Sequence, residues 1–283
     1  MTIITRARRI LAPTLRGTSL GNIFVSLYRC GERVTLRFGR IGTVARYCAP
    51  QMTAAVAWLV RSSEISNFVY DLTESSKFYL ANGVAVALGC NVDEIVAFFH
   101  EAEADQELRA HLIAQKSSPF FGRRLIWYAV VRKTKPKVIV ETGVDRGLGS
   151  VLLCSALLRN AAEGSPGRHY GLDIVPTAGD LLSGRYAGVG QILFGDAITT
   201  LQGFDKPIDI FINDSDHRAD YERREYEAVR EKLSAGSIII GDNIHVTTEL
   251  AEFSRREHRR FLYLPETPKD HWYPGAATGL SFP

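Results

Sequence analysis

The chain has 283 residues, 46% of them hydrophobic, which is enough to bury a full α/β core with a smaller second region beside it. Its apolar runs, such as Val151–Leu158, fall well short of the about 20 residues of a bilayer-spanning helix, so we expect a soluble protein. The four cysteines form no CxxC pair, which argues against a zinc site or a disulfide scaffold and favours a reducing cytoplasm.

The net charge of +3 is the sum of a strongly basic N-terminal segment and an acidic remainder. Residues 1–50 contain nine arginines, no lysine and a single acid, Glu32, so this segment carries +8 and the rest of the chain −5. We interpret residues 1–50 as an Arg-rich arm that is partly disordered, a targeting segment, or a contact for an anionic membrane surface or nucleic acid. No apolar core with a small-residue cleavage site follows this segment, so we do not expect a secretory signal.

Residues 51–118 show a helical pattern. Asn91 stands as an N-cap before two acids, and apolar residues follow at helical spacing. We predict a helical cap or lid region here. A further helix is predicted over residues 120–133, where Pro136 ends it, and it opens a domain predicted for residues 119–283.

From Lys137 onward, short β-branched runs alternate with longer helical or loop stretches. This alternation predicts an α/β fold with a mostly parallel sheet and crossover helices. The last two runs leave no room for a helix between them, so we predict an antiparallel hairpin at one sheet edge. The predicted strands are Val138–Glu141, His169–Asp173, Gln191–Gly195, Ile208–Asn213, Ser237–Gly241, Phe261–Leu264 and Thr278–Phe282.

The first predicted strand ends in a glycine-rich turn, VETGVDRGLGS, that covers residues 140–150. Glycines in such a turn let the backbone approach a ligand closely, although similar turns also close βα units that bind nothing. The spacing is not the dinucleotide GxGxxG, which argues against a nicotinamide dehydrogenase. The acidic Glu141 suits a ligand with an ammonium group better than a pyrophosphate.

Carboxylates also follow the next two predicted strands. Asp173 is placed to accept hydrogen bonds from both hydroxyls of a ribose, and Asp196 lies on the same rim, near the expected place of an adenine. Each aspartate alone is more often a helix cap or a turn residue. Acids at three successive strand ends favour a nucleoside site.

These motifs resemble those of class I S-adenosylmethionine-dependent methyltransferases over roughly residues 120–283. The resemblance implies a Rossmann-like, seven-stranded, mostly parallel sheet with an antiparallel C-terminal hairpin. The turn departs from the family pattern E-x-G-x-G-x-G by having three residues between its first two glycines. The cofactor-binding residues that the resemblance implies are Glu141, Gly143, Gly147, Ser150, Asp173, Asp196 and Asp214.

The fourth and fifth predicted strands end in further polar residues. Asp214, Asp242 and Asn243 offer hard oxygen ligands of the kind that Mg²⁺ or another divalent cation takes, and His217 is placed to accept a proton. The pattern resembles that of metal-assisted O-methyltransferases that act on catechols and macrolide sugars. In the competing interpretation, Asp242 caps a helix and Asn243 bonds a loop. His245 is a second candidate base.

The residues after the fourth strand, Asn213–Asp216, lack the Pro-Pro-aromatic turn of enzymes that methylate base amines. We therefore predict O-methylation of a small-molecule or sugar hydroxyl, with His217 and Asp214 as catalytic residues and no nucleic-acid acceptor. Two alternatives stay open: a metal-independent methyltransferase with His217 as base or an amine as acceptor, and a non-catalytic scaffold held by the basic arm. A homo-oligomer also stays open.

Overall fold

A computed structural model describes residues 19–62 and 69–283. The chain divides into two compact units, Met1–Ser62 and Ser63–Pro283. In its described part, the first unit is one long helix, α1 (Ser19–Arg61), which contains Pro50. The arm predicted for residues 1–50 lies partly in α1 and partly outside the described residues. Within these described parts of the chain, no helix is both long enough and apolar enough to cross a membrane.

Three capped helices open the second unit. The N-cap predicted at Asn91 is confirmed, since its Oδ1 accepts a hydrogen bond from the backbone N–H of Asp93 at 2.9 Å. Thr73 and Asp105 cap the other two helices in the same way. Each cap satisfies a backbone donor that the first helical turn leaves without a partner. The helices are α2 (Glu74–Leu88), α3 (Val92–Ala104) and α4 (Gln106–Ala114).

The helix predicted over residues 120–133 begins later than expected. Gly122 has a φ of +53°, and a single 3₁₀ turn, Gly122–Arg124, precedes α5 (Leu125–Thr134). Helical backbone does not extend through a left-handed residue, so the turn begins at Gly122 and α5 follows it directly. Both arginines are buried.

The predicted sheet is confirmed, including its antiparallel C-terminal hairpin. The strands are β1 (Val138–Thr142), β2 (Arg168–Asp173), β3 (Gly190–Phe194), β4 (Ile208–Asn213), β5 (Leu233–Gly241), β6 (Arg260–Pro265) and β7 (Ala277–Phe282). They lie in the order β3-β2-β1-β4-β5-β7-β6. Strand β7 is antiparallel to both of its neighbours, and the other pairs are parallel.

Helices cover both faces of the sheet. Successive residues of one strand enter different cores: Ile139 packs with α2–α5, and Val140 packs on the opposite face. Because both faces are apolar, the central strands read as nearly continuous hydrophobic runs. The remaining helices are α6 (Leu148–Ala162), which lies on the Ile139 side, and α7 (Ala197–Gly203), α8 (Ala219–Arg230) and α9 (Glu249–Arg256), which lie on the other.

The chain order creates a topological switch point in the sheet. From β1 the chain proceeds outward to β2 and β3, and then returns to the other side of β1 to form β4 and β5. The turns that follow β1 and β4 therefore diverge at the carboxyl edge of the sheet. Open α/β sheets bind their ligands in the crevice that such a divergence leaves.

Candidate active site

A pocket of about 650 Å³ occupies this crevice. It gathers side chains from the ends of five strands, as the sequence predicts. Of the predicted site residues, it is lined by Glu141, Gly143, Asp173, Asp196, Asp214, His217, Asp242 and Asn243. Gly147 and Ser150 do not line it and act from behind the pocket wall.

The two predicted glycines of the first turn, Gly143 and Gly147, have different structural roles. Gly143 has a φ of +79°, and a Cβ placed on it would lie 2.0 Å from the backbone carbonyl oxygen of Asp214. Only glycine lets the turns after β1 and β4 come this close. Gly147, with a φ of +92°, begins α6 and faces Gly179, where a Cβ would lie 3.1 Å from the Cα. Gly147 therefore allows the turn to pack closely against Gly179.

Glu141 is held in one orientation by two buried neighbours. Its Oε2 accepts a hydrogen bond from Ser150 Oγ at 2.6 Å and lies 2.7 Å from His169 Nε2. The carboxylate is almost fully buried and still lines the pocket. Ser150 therefore positions Glu141. His169 also holds Glu141 in place, and this residue was not predicted from the sequence.

Asp173 shapes the glycine turn. Its Oδ2 accepts hydrogen bonds from the backbone N–H groups of Val144 at 2.9 Å and Asp145 at 3.0 Å. Its Oδ1 accepts from the backbone of Val175 at 2.8 Å. The carboxylate thus ties the end of β2 to the turn after β1, and it lines the pocket at the same place.

Asp196 combines the two functions that the sequence left open. It is the N-cap of α7, because Oδ1 accepts from the backbone N–H of Thr199 at 2.8 Å. Its Oδ2 accepts from the hydroxyl of Tyr221 at 3.1 Å, and both residues line the pocket. Helix capping and a place in the pocket wall are compatible here.

Asp214 and His217 form a pair at the far end of the pocket. Asp214 Oδ1 lies 3.6 Å from His217 Nε2, and His217 Nδ1 lies 3.3 Å from the buried Glu222. Burial and the charge of Asp242 raise the pKa of Asp214. Burial alone would lower the pKa of His217, but the carboxylates of Asp214 and Glu222 outweigh it and raise that pKa to about 10.

Asp242 is engaged by an arginine from the turn before α5. Arg123 Nε donates to Asp242 Oδ1 at 2.5 Å, and Arg123 Nη2 donates to Asp242 Oδ2. Burial raises the pKa of a carboxyl, yet the guanidinium holds the pKa of Asp242 well below its usual range. The amide of Asn243 lies between two groups: Oδ1 accepts from Arg123 Nη2 at 3.2 Å, and Nδ2 is 3.0 Å from His217 Nε2.

The donor set can be tested against a divalent cation. Asp214, His217 and Asp242 each offer a ligand atom within 4.8 Å of the others. However, both oxygens of Asp242 and the oxygen of Asn243 accept hydrogen bonds from Arg123. A second cation beside this guanidinium would meet like-charge repulsion in a buried setting. Arg123 therefore already engages the oxygens of Asp242 and Asn243 that the sequence analysis assigned to a divalent ion.

Three important residues were missed from the sequence: Arg123, Arg124 and Glu222. Arg124 Nη2 lies 3.7 Å from Asp214 Oδ2 and also lines the pocket. Glu222 shares a buried face of α8 with Tyr226 and Val229, at spacings of four and three residues. That spacing is a sequence signal for a buried acid. The two arginines carry no comparable local signal.

Several solved structures are similar to this chain at low sequence identity. A search of curated proteins found no match. One of the similar structures is the O-methyltransferase TomG from Streptomyces achromogenes, which is involved in tomaymycin synthesis and was solved with S-adenosylmethionine. Its sequence identity to this chain is 15% and its TM-score is 0.48, and the alignment covers 63% of this chain and 89% of that chain. A Bacillus cereus O-methyltransferase solved with S-adenosylhomocysteine has 15% identity, TM-score 0.45, and coverages of 74% and 98%. A putative caffeoyl-CoA O-methyltransferase from Staphylococcus aureus has 14% identity, TM-score 0.44, and coverages of 56% and 81%.

Residues 140–244 match a family model described as a methyltransferase domain. This range begins in β1, ends just after β5, and includes every predicted site residue except the second candidate base, His245. The matched segment therefore supplies the switch point and the pocket described above. The chain therefore carries a methyltransferase domain over residues 140–244, within a seven-stranded Rossmann-like sheet.

Proposed function

We propose that the chain transfers the methyl group of S-adenosylmethionine to a hydroxyl oxygen of a small molecule or sugar. The observation that carries this proposal is the convergence of acids from three strand ends, Glu141, Asp173 and Asp196, on one pocket. Carboxylates suit the ammonium, the ribose hydroxyls and the adenine amino group of the cofactor. Gly143 supports it by letting the turns after β1 and β4 approach each other closely at the pocket.

The opposite end of the pocket supplies the groups for the acceptor. In the proposed step, the acceptor oxygen forms a bond to the methyl carbon, the bond from that carbon to sulfur breaks, and the hydroxyl proton passes to the carboxylate of Asp214, which lies beside the ring of His217. The products are a methyl ether and S-adenosylhomocysteine. Since the sulfonium drives the reaction, these residues mainly align the acceptor and hold its proton.

Glu222 supports the assignment of His217. Its carboxylate lies 3.3 Å from Nδ1, and it also accepts a hydrogen bond from Thr247 Oγ1. A fixed acceptor at Nδ1 orients the ring and directs Nε2 toward Asp214. His245, the second candidate base, is exposed on the loop after β5 and does not line the pocket.

The proposal is tested by methyl transfer from labelled S-adenosylmethionine to a panel of catechol, simple sugars and primary amines. We expect label in alkali-stable ethers of hydroxyl acceptors. His217→Asn should lower kcat about 100-fold or more with unchanged S-adenosylhomocysteine affinity, and the matched His245→Asn should resemble wild type. Label only in amines would overturn the oxygen assignment. A chain that binds no S-adenosylhomocysteine by calorimetry would instead support the scaffold alternative.

Assistance by Mg²⁺ or another divalent cation, membrane-surface contact of the arm, self-association and a cytoplasmic location stay predictions. For the cation, Asp214, His217 and Asp242 offer donor atoms, whereas the contacts of Arg123 oppose it. Chelation separates the two forms of the reaction, because a metal-assisted enzyme loses turnover in EDTA.

A further inference from the structure

Arg123 is a buried charge beside the acceptor end of the pocket. Its guanidinium donates to Asp242 through two nitrogens, to Tyr70 Oη at 3.0 Å and to Glu266 Oε1 at 3.1 Å. Its side chain is 9% exposed, and those of Asp242 and Glu266 are 1% and 0% exposed. One buried cation thus faces two buried carboxylates.

The remaining carboxylate of the predicted metal set also has cationic neighbours. Asp214 lies 3.7 Å from Arg124 Nη2 and 3.6 Å from His217 Nε2. Arg123 and Arg124 are consecutive residues of one 3₁₀ turn and direct their guanidinium groups to Asp242 and Asp214 respectively. The negative charge that would attract a divalent cation is therefore already balanced by side chains of the chain itself.

We propose that the guanidinium of Arg123 takes the place of a divalent cation beside Asp242 and Asn243, so that methyl transfer by this chain needs no metal. The inference refines the proposed O-methyl transfer, but the contacts that support it do not depend on the acceptor. A planar guanidinium satisfies both oxygens of Asp242 at once and still reaches Asn243. A divalent cation there would lie within a few ångströms of a fixed positive charge.

In this arrangement Arg123 is a positioning residue. It fixes Asp242 and Asn243, and the amide of Asn243 lies 3.0 Å from Nε2 of His217. The order that a metal ion would impose on its ligands is then supplied by hydrogen bonds. Since the guanidinium is part of the chain, the acceptor end of the pocket is organised before any ligand arrives.

The test is a titration of the purified full chain with Mn²⁺, followed by electron paramagnetic resonance of the free ion. We expect no saturable binding by wild type at millimolar Mn²⁺, and unchanged S-adenosylhomocysteine affinity and turnover in EDTA. Arg123→Met should bind one Mn²⁺ per chain at least about 100-fold more tightly than wild type, because it removes the repelling charge. Asp242→Asn in that background should abolish the binding.

Two further variants make the result decisive. Arg123→Met combined with Glu266→Gln removes one charge of each sign and keeps the fold testable if the single variant unfolds. Arg132→Met removes another buried arginine, which pairs with Glu101 and Glu163 away from the pocket, and should leave Mn²⁺ binding at the wild-type level. Stoichiometric Mn²⁺ binding by wild type that Asp242→Asn removes would overturn the proposal, as would a folded double variant that binds no Mn²⁺. Neither result bears on whether the acceptor is a hydroxyl.

Discussion

Replacement of Gly143 by alanine tests whether the close approach of the turns after β1 and β4 builds the cofactor pocket. Gly164 offers a matched control, since it follows α6 with nearly the same φ, +82° against +79° for Gly143. A Cβ on Gly164 meets nothing within 4 Å. A Cβ on Gly143 would lie 2.0 Å from the carbonyl oxygen of Asp214 and 2.6 Å from the Cα of Ser215.

The two substitutions share one cost and differ in the other. A non-glycine residue in the left-handed region costs about 1–2 kcal/mol, so Gly164→Ala should lower the free energy of unfolding by about that amount. Gly143→Ala adds a clash with backbone atoms, which cannot rotate away, and overpacking of this kind adds about 1–3 kcal/mol or more. The expected loss for Gly143→Ala is therefore about 2–5 kcal/mol.

Urea unfolding measures the free energies, and calorimetric titration with S-adenosylhomocysteine measures the affinity. We expect Gly143→Ala to bind the ligand at least about tenfold more weakly than Gly164→Ala, which corresponds to about 1.4 kcal/mol. If the two variants lost equal stability and bound the ligand equally, the close approach at Gly143 would contribute neither to the free energy of unfolding nor to ligand affinity.

Two other substitutions test Asp173, which lines the pocket, and Glu225, a buried acid of α8 that accepts hydrogen bonds from Asn213 and Ser215. Asp173 accepts from Val144 and Asp145 at one oxygen and from Val175 at the other, whereas asparagine has a single side-chain acceptor oxygen, so Asp173→Asn leaves a backbone N–H without its acceptor. By calorimetry we therefore expect S-adenosylhomocysteine affinity to fall at least about tenfold, with about 1–3 kcal/mol of stability lost in urea. Burial raises the pKa of Glu225 to about 7, above its ordinary value of 4.5, so ionisation favours the unfolded chain and stability falls as the pH rises between these values. Glu225→Gln should therefore be about 3 kcal/mol more stable than wild type near pH 8 and equal to it near pH 4 in urea unfolding. An equal difference at both pH values would contradict this reasoning.

The fold was predictable because local patterns determine it. Strands such as β4 are apolar on both faces, and the stretches between the first five strands are long enough for crossover connections, which leaves few arrangements other than a parallel sheet. The carboxyl ends of parallel strands share one edge, so acids that follow each strand were expected to converge. The pocket confirms this convergence for Asp173, Asp196, Asp214 and Asp242.

The partners of those acids could not be predicted from local spacing. Arg123 reaches Asp242 across 119 residues and Glu266 across 143 residues, and it directly follows Gly122, whose φ is positive. A sequence shows that Gly122 is permissive, but not which sign its φ takes. For Ser150 the residue type was informative and the role was not, because the side chain bonds Glu141 from behind the wall.

The same long-range contacts connect the acceptor end of the pocket with the stability of the fold. Tyr70, ahead of α2, and Glu266, after β6, meet at the guanidinium of Arg123, so loops distant in sequence depend on one buried charge. Loss of that charge would leave Asp242 and Glu266 buried without compensation, a situation that commonly costs about 3–5 kcal/mol. A lysine would not restore it, because a single ammonium cannot match the paired donors of the fork. The need to neutralise buried carboxylates therefore explains the presence of an arginine here independently of catalysis. A stabilising role and a role in place of a divalent cation are distinguished by measuring cation binding, not stability.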